Sequence, residues 1–498
     1  MEGDSLSQRK AQLDKAEREH LEDVVEELRE RVENNVRFQL TQQGLDDEPE
    51  DSESLDEDIE HLVEAINLEV VDGHTWEEAF EQYVTGVGYT IVNRLAALRC
   101  MEVRDFVDEE VTVFKENGLT PAAETLVHEE FLLEDEAILR AYRDACDRLA
   151  DEIEILFDRE TTYGQLDPDD DAFEDLCEML DGVPDEVWRA DDVLGWVYEY
   201  YNASKLEELR HKRNQEGLEP EDVPPANQFY TPHWVVRMLT DNSLTKMYLE
   251  ANGELPATIE EQSTFSEDER KFRDTSPAES PSLADFSTYL VPTEKEGEAP
   301  TFEEPRDIRV IDPACGSGHF LLYAFDVLER IWHQERPELA RSEIPEKILR
   351  YNLHGVDLDM RACQLAAFNL YLKARGRAEE EGAENFQMPE VGIVCADAKI
   401  ANIGAASEIF DEVAGDQPDV RDALEDILEA FEDVQGLGSL LDVRGTLEEH
   451  FTTKEQPTLI ESVEGPGSIT KFLENLHQEV AEHRNGESFM AQDLRSFL

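Results

Sequence analysis

The 498 residues include 44 Lys plus Arg and 119 Asp plus Glu, which gives a formal net charge of −75 at pH 7. Molar salt shortens the Debye length to about 3 Å and so screens the repulsion between these charges. Because the acids are spread along the whole chain, we interpret them as the surface of a halophilic protein. On such a surface the absence of a basic patch says nothing about nucleic-acid binding. The sequence has no run of about 18 apolar residues and no hydrophobic signal core, which excludes membrane insertion and predicts a cytoplasmic protein. The six cysteines lack metal-type spacing, so they imply neither disulfides nor zinc and predict free thiols.

The first 215 residues carry the pattern of α-helices. Residues 8–42 are rich in helix formers with a narrow apolar stripe (Leu21, Val24, Val25 and Leu28), whereas residues 45–60 are acidic and have almost nothing to bury. From 61 to 215 apolar residues recur at helical spacing, as in DDVLGWVYEYYNASKLEELRHKR. We therefore predict a helix and acidic linker over 1–60 and a helical domain over 61–215.

The pattern changes after residue 216. Residues 262–306 are dense in Ser, Thr, Pro, Glu and Asp, and we predict a surface insertion there. Three strand-like runs follow, with helical patterns over 319–334, 343–351 and 359–375 between them; the runs are Ile308–Ile311, Leu353–Leu358 and Val391–Ala396. Alternation of this kind is typical of a parallel sheet with helical crossovers.

These patterns predict a fold of class α/β plus all-α. A helical N-terminal domain precedes a partial Rossmann-like sheet with helical insertions, which occupies residues 216–400 and includes the insertion at 262–306. Residues 401–498 return to acidic helical stretches.

The stretch VIDPACGSGHFLLYAF, residues 310–325, joins the first strand to a helix through two glycines. In such a unit the first glycine permits a tight turn, and the second lets a ligand approach backbone amides at the helix N-terminus. A dinucleotide-binding G-x-G-x-x-G needs a third glycine at the position of Leu321, and a P-loop needs a lysine, which the stretch lacks. Neither phosphate-binding motif fits, and Gly-x-Gly in this context can also be purely structural.

An acid stands at the end of each predicted strand. Asp312 would repel phosphate and attract an ammonium group, which indicates a ligand with a cationic amine, such as S-adenosylmethionine. Asp357 is placed to accept both hydroxyls of a ribose, with Leu358 against the adenine face, and Asp397 to accept from the adenine amine. Asp359 fits a helix N-cap. Three acids at one sheet edge favour a ligand site over three separate caps.

These segments resemble the amino-type, S-adenosylmethionine-dependent DNA methyltransferases that modify adenine at N6. IDPACGSGHFL is similar to their motif I, GVDLD to motif II, CADAK to motif III and the upstream QFYTPHWVVRML to motif X, in the order of the gamma class. The resemblance implies neither a metal nor an assignable catalytic residue, and it implies a cofactor site made by Tyr230, Thr231, Pro232, Asp312, Pro313, Ala314, Gly316, Gly318, Phe320, Asp357, Leu358 and Asp397.

A closer resemblance, to the PglX-type methyltransferases of BREX phage-exclusion systems, runs from about residue 75 to about residue 400. It is carried by TIVNRLAALRCMEVRDF, VLGWVYEYYN, FYTPHWVVRMLTDNSL and DPACGSGHFLLYAFDVLERIW. It implies S-adenosylmethionine as the cofactor and adenine of double-stranded host DNA, flipped out of the duplex, as the substrate. Other BREX proteins are implied as partners.

The chain lacks the (Asn/Asp/Ser)-Pro-Pro-(Tyr/Phe) segment with which that family orients the target amine. Its single Pro-Pro pair, Pro224-Pro225, precedes the cofactor motifs and is followed by Ala226. Because positioning can supply about 7–11 kcal/mol of a barrier, catalysis by this chain alone is not expected. We predict a split or truncated enzyme in which a second chain supplies the catalytic segment and the target-recognition domain, and pairs with the open edge of the first strand.

Other functions fit part of the sequence. A non-catalytic S-adenosylmethionine-binding subunit of a defence complex would share the cofactor motifs. A protein or small-molecule methyltransferase would not be expected to carry the upstream FYTP, and a type IIG restriction enzyme would need nuclease residues, of which no constellation stands out. A purely structural helical protein fits residues 1–215 but leaves the strand-end acids unexplained.

Overall fold

The structure, a computed structural model, describes residues 12–49, 57–70, 75–108, 113–114, 119–150, 153–159, 161–215, 231–266, 269, 282–292, 301–383, 386–389 and 391–395. Tyr230, Asp397 and the predicted helical region 401–498 lie outside these residues. The chain divides into two compact units, the first from residues 1–36, 87–159 and 166–394, and the second from residues 37–86, 160–165 and 395–498. The predicted domain boundaries at 60, 215 and 400 stay predictions.

The N-terminal part of the described chain is helical. Its α-helices are α1 Lys15–Gln42, α2 Glu57–Asn67, α3 Trp76–Glu102, α4 Pro121–Glu129, α5 Glu134–Ala150, α6 Glu154–Phe157, α7 Asp170–Asp181, α8 Asp185–Trp188 and α9 Val193–Gln215. The predicted stripe on α1 is extended by apolar residues three and four apart, and Leu21, Val25, Leu28 and Val32 are fully buried.

Side-chain caps set where two of these helices begin. The Oγ1 atom of Thr120 accepts a hydrogen bond from the backbone N–H of Ala123 at 3.3 Å, and Pro121 occupies the first turn of α4. Asp169 caps α7 in the same way, through the N–H of Ala172 at 2.9 Å. Both caps pair backbone donors that a helix N-terminus leaves unsatisfied.

Polar contacts within the second unit join segments that are distant in sequence. Arg37 forms an ion pair of 2.6 Å with Glu81, and the indole N–H of Trp76 donates to the carbonyl oxygen of Leu45 at 2.9 Å. The hydroxyl of Tyr83 donates to the carbonyl oxygen of Thr162 at 3.2 Å. These bonds pair polar groups within residues 37–86 and between that segment and residues 160–165.

A three-stranded sheet in the order β1-β2-β3 forms the α/β part of the first unit. Its strands are β1 Val310–Asp312, β2 Leu353–Asp357 and β3 Gly392–Cys395. Strands β1 and β2 are parallel, with Val310 opposite Leu353 and Asp312 opposite Gly355. Each strand lies within two residues of its predicted span, so the predicted alternation of strands and helices is confirmed.

This part also contains α-helices, of which the last three contact the strands of the sheet. They are α10 His233–Thr240, α11 Lys246–Ala251, α12 Leu255–Gln262, α13 Leu283–Phe286, α14 His319–Glu335, α15 Ile344–Tyr351 and α16 Met360–Glu380, and a π-helical turn, Asp241–Thr245, joins α10 to α11. Helix α14 is buried on nearly all sides, which fits its apolar sequence FLLYAFDVLERIW. Two side chains of the sheet, Ile311 and Val394, are 65% and 52% exposed.

Within the range 262–306, which was predicted to be a surface insertion, a described stretch around Phe286 packs against the core. Phe286 is buried, and its carbonyl oxygen accepts a hydrogen bond of 2.7 Å from the buried guanidinium of Arg237. The ring of Phe286 stacks on that of Tyr323, with centroids 5.2 Å apart. One short apolar stretch, SLADFSTYL, is enough to join this segment to the core, although the surrounding composition is polar.

None of the helices in the described ranges is long and apolar enough to cross a bilayer.

Candidate functional site

The loop after β1 turns tightly at the carboxyl end of the sheet. The Oδ1 atom of Asp312 accepts a hydrogen bond of 3.2 Å from the N–H of Ala314, and the N–H of Cys315 donates to the carbonyl oxygen of Val356 at 3.0 Å. Gly316 and Gly318 both have positive φ, +53° and +87°, which glycine adopts without strain. The loop therefore needs both glycines for its path.

The two glycines differ in their surroundings. A Cβ atom on Gly316 would point into open space, whereas one on Gly318 would lie 3.2 Å from the Cα and Cβ atoms of Ala366 on α16. Sequence reasoning assigned the second glycine to ligand approach. In the structure it is the close packing of helix α16 that requires Gly318, and Gly316 is the glycine that faces open space.

The carboxylate of Asp357 joins the loop after β1 to the loop after β2. Its Oδ2 atom accepts from the N–H of Gly316 at 2.8 Å, and its Oδ1 atom accepts from the N–H of Asp359 at 3.0 Å. Each carboxylate oxygen has a second lone pair, so both oxygens can accept a further donor. The structure thus brings the predicted motif I and motif II acids to one edge of the sheet.

Asp312 carries an oxygen without a partner. Its Oδ2 atom is buried and accepts no hydrogen bond from the described residues. Burial raises the pKa of Asp312, the bond from Ala314 lowers it, and the neighbouring charge of Asp357 raises it. A cation placed at Oδ2 would pair this buried charge, and an amine would also supply the missing hydrogen bond.

The side of the site away from the core is accessible. Pro313 and Ala314 are exposed, and the side chain of Leu358, directly after β2, is 53% exposed. Asp359 is the N-cap of α16, as predicted, and its Oδ1 atom accepts from the N–H of Arg361 at 3.0 Å. An exposed apolar side chain between two acids suits one flat face of a ligand with polar ends.

The motif X segment meets the motif I helix through a pair of histidines. His319, the first residue of α14, forms a hydrogen bond with the backbone of Thr231, and Pro232 is the N-cap of α10. The Nδ1 atom of His233 lies 3.4 Å from the Nε2 atom of His319, and the two rings stack. Burial lowers the pKa of each histidine to about 3, so both are neutral at physiological pH.

The structure describes ten of the twelve predicted site residues. Tyr230 and Asp397 are outside the described residues. Phe320 is partly buried and packs against the core of the α/β part. The described candidate site therefore consists of the first two strand ends and the part of motif X from Thr231 onward.

Helix α16 supports the loop from behind. The side-chain amide of Asn369 donates to the carbonyl oxygen of Ser317 at 2.9 Å, and Ala366 contacts Gly318 one turn earlier. Further along the helix the buried ammonium of Lys373 pairs with Asp326 at 2.7 Å and with Asp191 at 3.0 Å. The glycine loop is thus fixed to a helix that is itself fixed by buried charges.

Tyr198 of the helical part contacts the site, although no site residue was predicted there from the sequence. The hydroxyl of Tyr198, on α9, donates to the Oδ2 atom of Asp359 at 3.1 Å. Tyr198 lies in the stretch VLGWVYEYYN, which contributed to the resemblance without any assigned role. Its spacing is that of an ordinary core aromatic, so no local pattern marks it.

A separate cavity of about 330 Å³ lies in the helical part and is lined by Arg99, Glu102, Phe114 and Asp185, among others. The guanidinium of Arg99 pairs with Asp185 at 2.8 Å, with Asp181 at 3.1 Å and with Glu102 at 3.8 Å. These carboxylates balance its charge, and none of the predicted site residues lines the cavity. The strand ends remain the better candidate.

Known proteins resemble the chain in this region. Residues 302–397 match the family model described as MmeI, DNA-methyltransferase domain. The match begins just before β1 and ends at Asp397, so it covers the sheet and both loops described above.

Curated relatives extend the similarity into the helical part. The adenine-specific methyltransferase BrxX of Escherichia coli O9:H4 (strain HS) is 31% identical over 322 residues, 60% of this chain and 25% of the relative. The adenine-specific methyltransferase PglX of Lacticaseibacillus casei (strain Zhang) is 26% identical over 341 residues, 60% of this chain and 26% of the relative. A PglX of Streptomyces coelicolor is 30% identical over 131 residues, 26% of this chain and 10% of that protein.

The predicted resemblance to PglX-type adenine-specific methyltransferases is confirmed by these matches. The chain spans about a quarter of the length of the first two relatives.

Proposed function

We propose that this chain is the cofactor-binding part of a DNA methyltransferase that transfers a methyl group from S-adenosylmethionine to N6 of adenine, in a defence system of BREX type. The observation that carries the proposal is that Asp312 and Asp357 lie at neighbouring strand ends, and that the buried Oδ2 atom of Asp312 accepts no hydrogen bond from the described residues. The similarity of residues 302–397 to a DNA-methyltransferase domain supports it independently.

The residues fit the cofactor by chemistry. S-adenosylmethionine supplies a methyl group activated by a sulfonium, and it carries an ammonium, a ribose and an adenine. Asp312 would accept from the ammonium through its buried Oδ2 atom, and Asp357 from the ribose hydroxyls through its remaining lone pairs. Leu358 would lie against the adenine, and Thr231 and Pro232 would border the methionine end.

The two residues outside the described ranges are assigned by the motifs alone. Asp397 would accept from the adenine amine, and Tyr230 would stand beside Thr231 in motif X. Pro313, Ala314, Gly316, Gly318 and Phe320 would shape the loop around the cofactor.

We further propose that polypeptide outside these 498 residues, as a second chain, supplies the catalytic segment and the recognition of double-stranded DNA. The sequence contains no (Asn/Asp/Ser)-Pro-Pro-(Tyr/Phe) segment, and the positioning such a segment provides is worth about 7–11 kcal/mol. Other BREX proteins are the expected partners.

Titration calorimetry with S-adenosylhomocysteine in molar KCl tests the cofactor part. Binding at one site per chain is the expected result, and absence of binding would overturn the proposal. The second test adds a polypeptide that carries the missing segment and follows transfer of a labelled methyl group to adenine-containing duplex DNA. Cofactor binding without methyl transfer, whichever partner is supplied, would instead favour a non-catalytic cofactor-binding subunit.

A further inference from the structure

We infer that Tyr198, on helix α9 of the helical part, is a positioning residue for the cofactor-binding loop between β2 and α16. The inference rests on the proposed function and extends the proposed site into the helical part of the first unit. No site residue was predicted there from the sequence.

The contact is direct and buried. The hydroxyl of Tyr198 donates to the Oδ2 atom of Asp359 at 3.1 Å, and only 8% of Tyr198 is exposed. Arg361 holds the same carboxylate from the other side, with its Nε atom 2.8 Å from Oδ1 and its Nη2 atom 3.0 Å from Oδ2. Asp359 is therefore fixed between a residue of its own helix and a residue of the helical part.

A second helix of the helical part, α3, contacts Arg361 of this ion pair. The guanidinium carbon of Arg361 lies 4.9 Å from the ring centroid of Tyr89 on α3, a cation–π distance. The ring of Tyr89 in turn meets that of Tyr198 edge to face, with centroids 5.7 Å apart. Tyr89 and Tyr198 thus form one aromatic wall against the start of α16.

A chain of hydrogen bonds leads from Tyr198 to the proposed ligand positions. Tyr198 fixes Asp359, the N–H of Asp359 donates to Asp357 at 3.0 Å, and Asp357 accepts from Gly316 at 2.8 Å. The exposed Leu358 lies between the two acids in sequence. A shift of Asp359 would therefore move Asp357 and Leu358, the residues proposed to contact ribose and adenine.

The helical part holds α16 at a second point. Asp191, just before α9, pairs with the buried Lys373 at 3.0 Å. Lys373 is about 21 Å along the helix from Asp359, at 1.5 Å per residue. Ala366 and Asn369, which contact the glycine loop, lie between the two anchors. Anchors at both ends fix the orientation of the helix, and with it both loops of the site.

The charge of Asp359 favours the same interpretation. Burial alone would raise the pKa of Asp359, but the charge of Arg361 and the hydrogen bonds from Arg361 and Tyr198 hold it below its ordinary value. The cap is therefore an ionised carboxylate, and hydrogen bonds to charged acceptors are stronger than neutral ones.

The test compares Tyr198→Phe with a control on the same helix, Tyr201→Phe. Tyr201 is also buried, and its hydroxyl donates to a carboxylate, Glu33, at 3.0 Å, but that carboxylate is on α1 and does not cap α16. Both variants lose one bond between a tyrosine and a carboxylate, so we expect similar losses of thermal stability. Only Tyr198→Phe should weaken binding of S-adenosylhomocysteine in molar KCl, by about tenfold, the equivalent of about 1.4 kcal/mol.

Hydrogen exchange without cofactor separates the two proposals. We expect the backbone amides of Asp359 and Gly316 to exchange about tenfold faster in Tyr198→Phe than in the native chain, and to be unchanged in Tyr201→Phe. Equal exchange and equal cofactor affinity in both variants would overturn the positioning role. If the native chain binds no cofactor but the exchange difference is present, the proposed function fails and the positioning of the loop by Tyr198 stands.

Discussion

The N–H of Gly316 and the Oδ2 atom of Asp357 are joined by a hydrogen bond of 2.8 Å, which ties the glycine loop after β1 to the end of β2. Asp357→Ala would leave this N–H and that of Asp359 without their acceptor. We expect cofactor affinity to fall by about 1–3 kcal/mol, together with a lower thermal midpoint, because a charged acceptor of two backbone donors is lost. Calorimetry and thermal unfolding in molar KCl measure the two effects.

Glu338→Ala is the control for this variant. Glu338 is a carboxylate with a side chain that is 70% exposed, and its ion pair with Arg336 has a length of 4.0 Å. Exposed pairs of this kind contribute little, so neither stability nor affinity should change. Unchanged cofactor affinity in Asp357→Ala would count against the proposed role of Asp357.

Asp312→Asn separates binding from stability. The amide keeps the shape of the side chain but removes the charge proposed to meet the cofactor amine, so affinity for the cofactor should fall by about tenfold or more. The thermal midpoint should stay the same or rise, because a buried carboxylate oxygen without a partner is unfavourable. The opposite signs of these effects distinguish Asp312 from Asp357, where both quantities fall.

The pH dependence of binding gives a second check on Asp312. Burial raises the pKa of Asp312, so this carboxylate becomes protonated at a higher pH than an ordinary aspartate. On acidification, the native chain should therefore begin to lose affinity for S-adenosylhomocysteine at that higher pH. In Asp312→Asn this loss should be absent. If both chains lose affinity over the same acidic pH range, Asp312 is not the group responsible for the loss.

Gly316→Ala and Gly318→Ala form a matched pair. Both positions have positive φ, so each substitution carries the cost of a left-handed residue, about 1–2 kcal/mol. Gly318→Ala should cost about 1–3 kcal/mol more, because its methyl group would lie 3.2 Å from Ala366. Denaturant unfolding in molar salt measures the difference, and equal losses would show that α16 can move away.

The outline of the α/β part was predictable because its signals are local. Apolar runs, the two glycines and the acids after the strands place β1, β2 and the helices between them within about two residues, and Asp359 has the sequence context of an N-cap. The role of Gly318 was not predictable in the same way, since the neighbour that requires it, Ala366, is on another helix.

Contacts across long sequence distances explain what sequence reasoning missed. Tyr198 and Asp359 are 161 residues apart, and Arg237 reaches Phe286 across 49 residues of mostly polar sequence. Neither pairing leaves a periodic pattern, because each depends on how separate helices pack. The link between the helical part and the loop between β2 and α16 therefore emerges only from the structure.

Lys373→Met tests the buried charges behind the site. The substitution would leave the carboxylates of Asp326 and Asp191 without the ammonium that lies 2.7 Å and 3.0 Å from them. Removing one partner of a buried ion pair costs about 3–5 kcal/mol, and we expect the lower end because Arg377 is 3.9 Å from Asp326. The free energy of unfolding in molar salt measures the loss.

Two further variants make this result specific. Lys373→Met combined with Asp326→Asn should regain part of the lost stability, because one uncompensated charge is removed. Lys15→Met, at a side chain that is 82% exposed, should change stability by less than about 0.5 kcal/mol. A double variant as unstable as the sum of its two single variants would contradict the account of Lys373 as a counter-ion.

Asp192 should make the stability of the first unit depend on pH. Its carboxylate accepts hydrogen bonds from the backbone N–H of Leu13 and, at 2.7 Å, from the indole of Trp196. Burial raises the pKa of Asp192 to about 7, although these bonds lower it. The pKa of Asp192 is thus higher in the folded chain than in the unfolded chain, so between these two values the folded chain binds a proton that the unfolded chain does not. The stabilisation from this proton is fully present below about pH 4 and is lost as the pH rises through about 7.

Unfolding of the native chain and of Asp192→Asn across pH 4.5–8 in molar KCl isolates this contribution. Other shifted groups, such as Glu102, Asp241, His233 and His319, are the same in both chains, so their effects cancel in the difference between the two curves. The native chain should lose stability relative to the variant as the pH rises toward 7, with a slope of at most about 1.4 kcal/mol per pH unit. Because the amide does not titrate in this range, parallel curves would mean that Asp192 is already ionised in the folded chain at low pH, held so by Leu13 and Trp196.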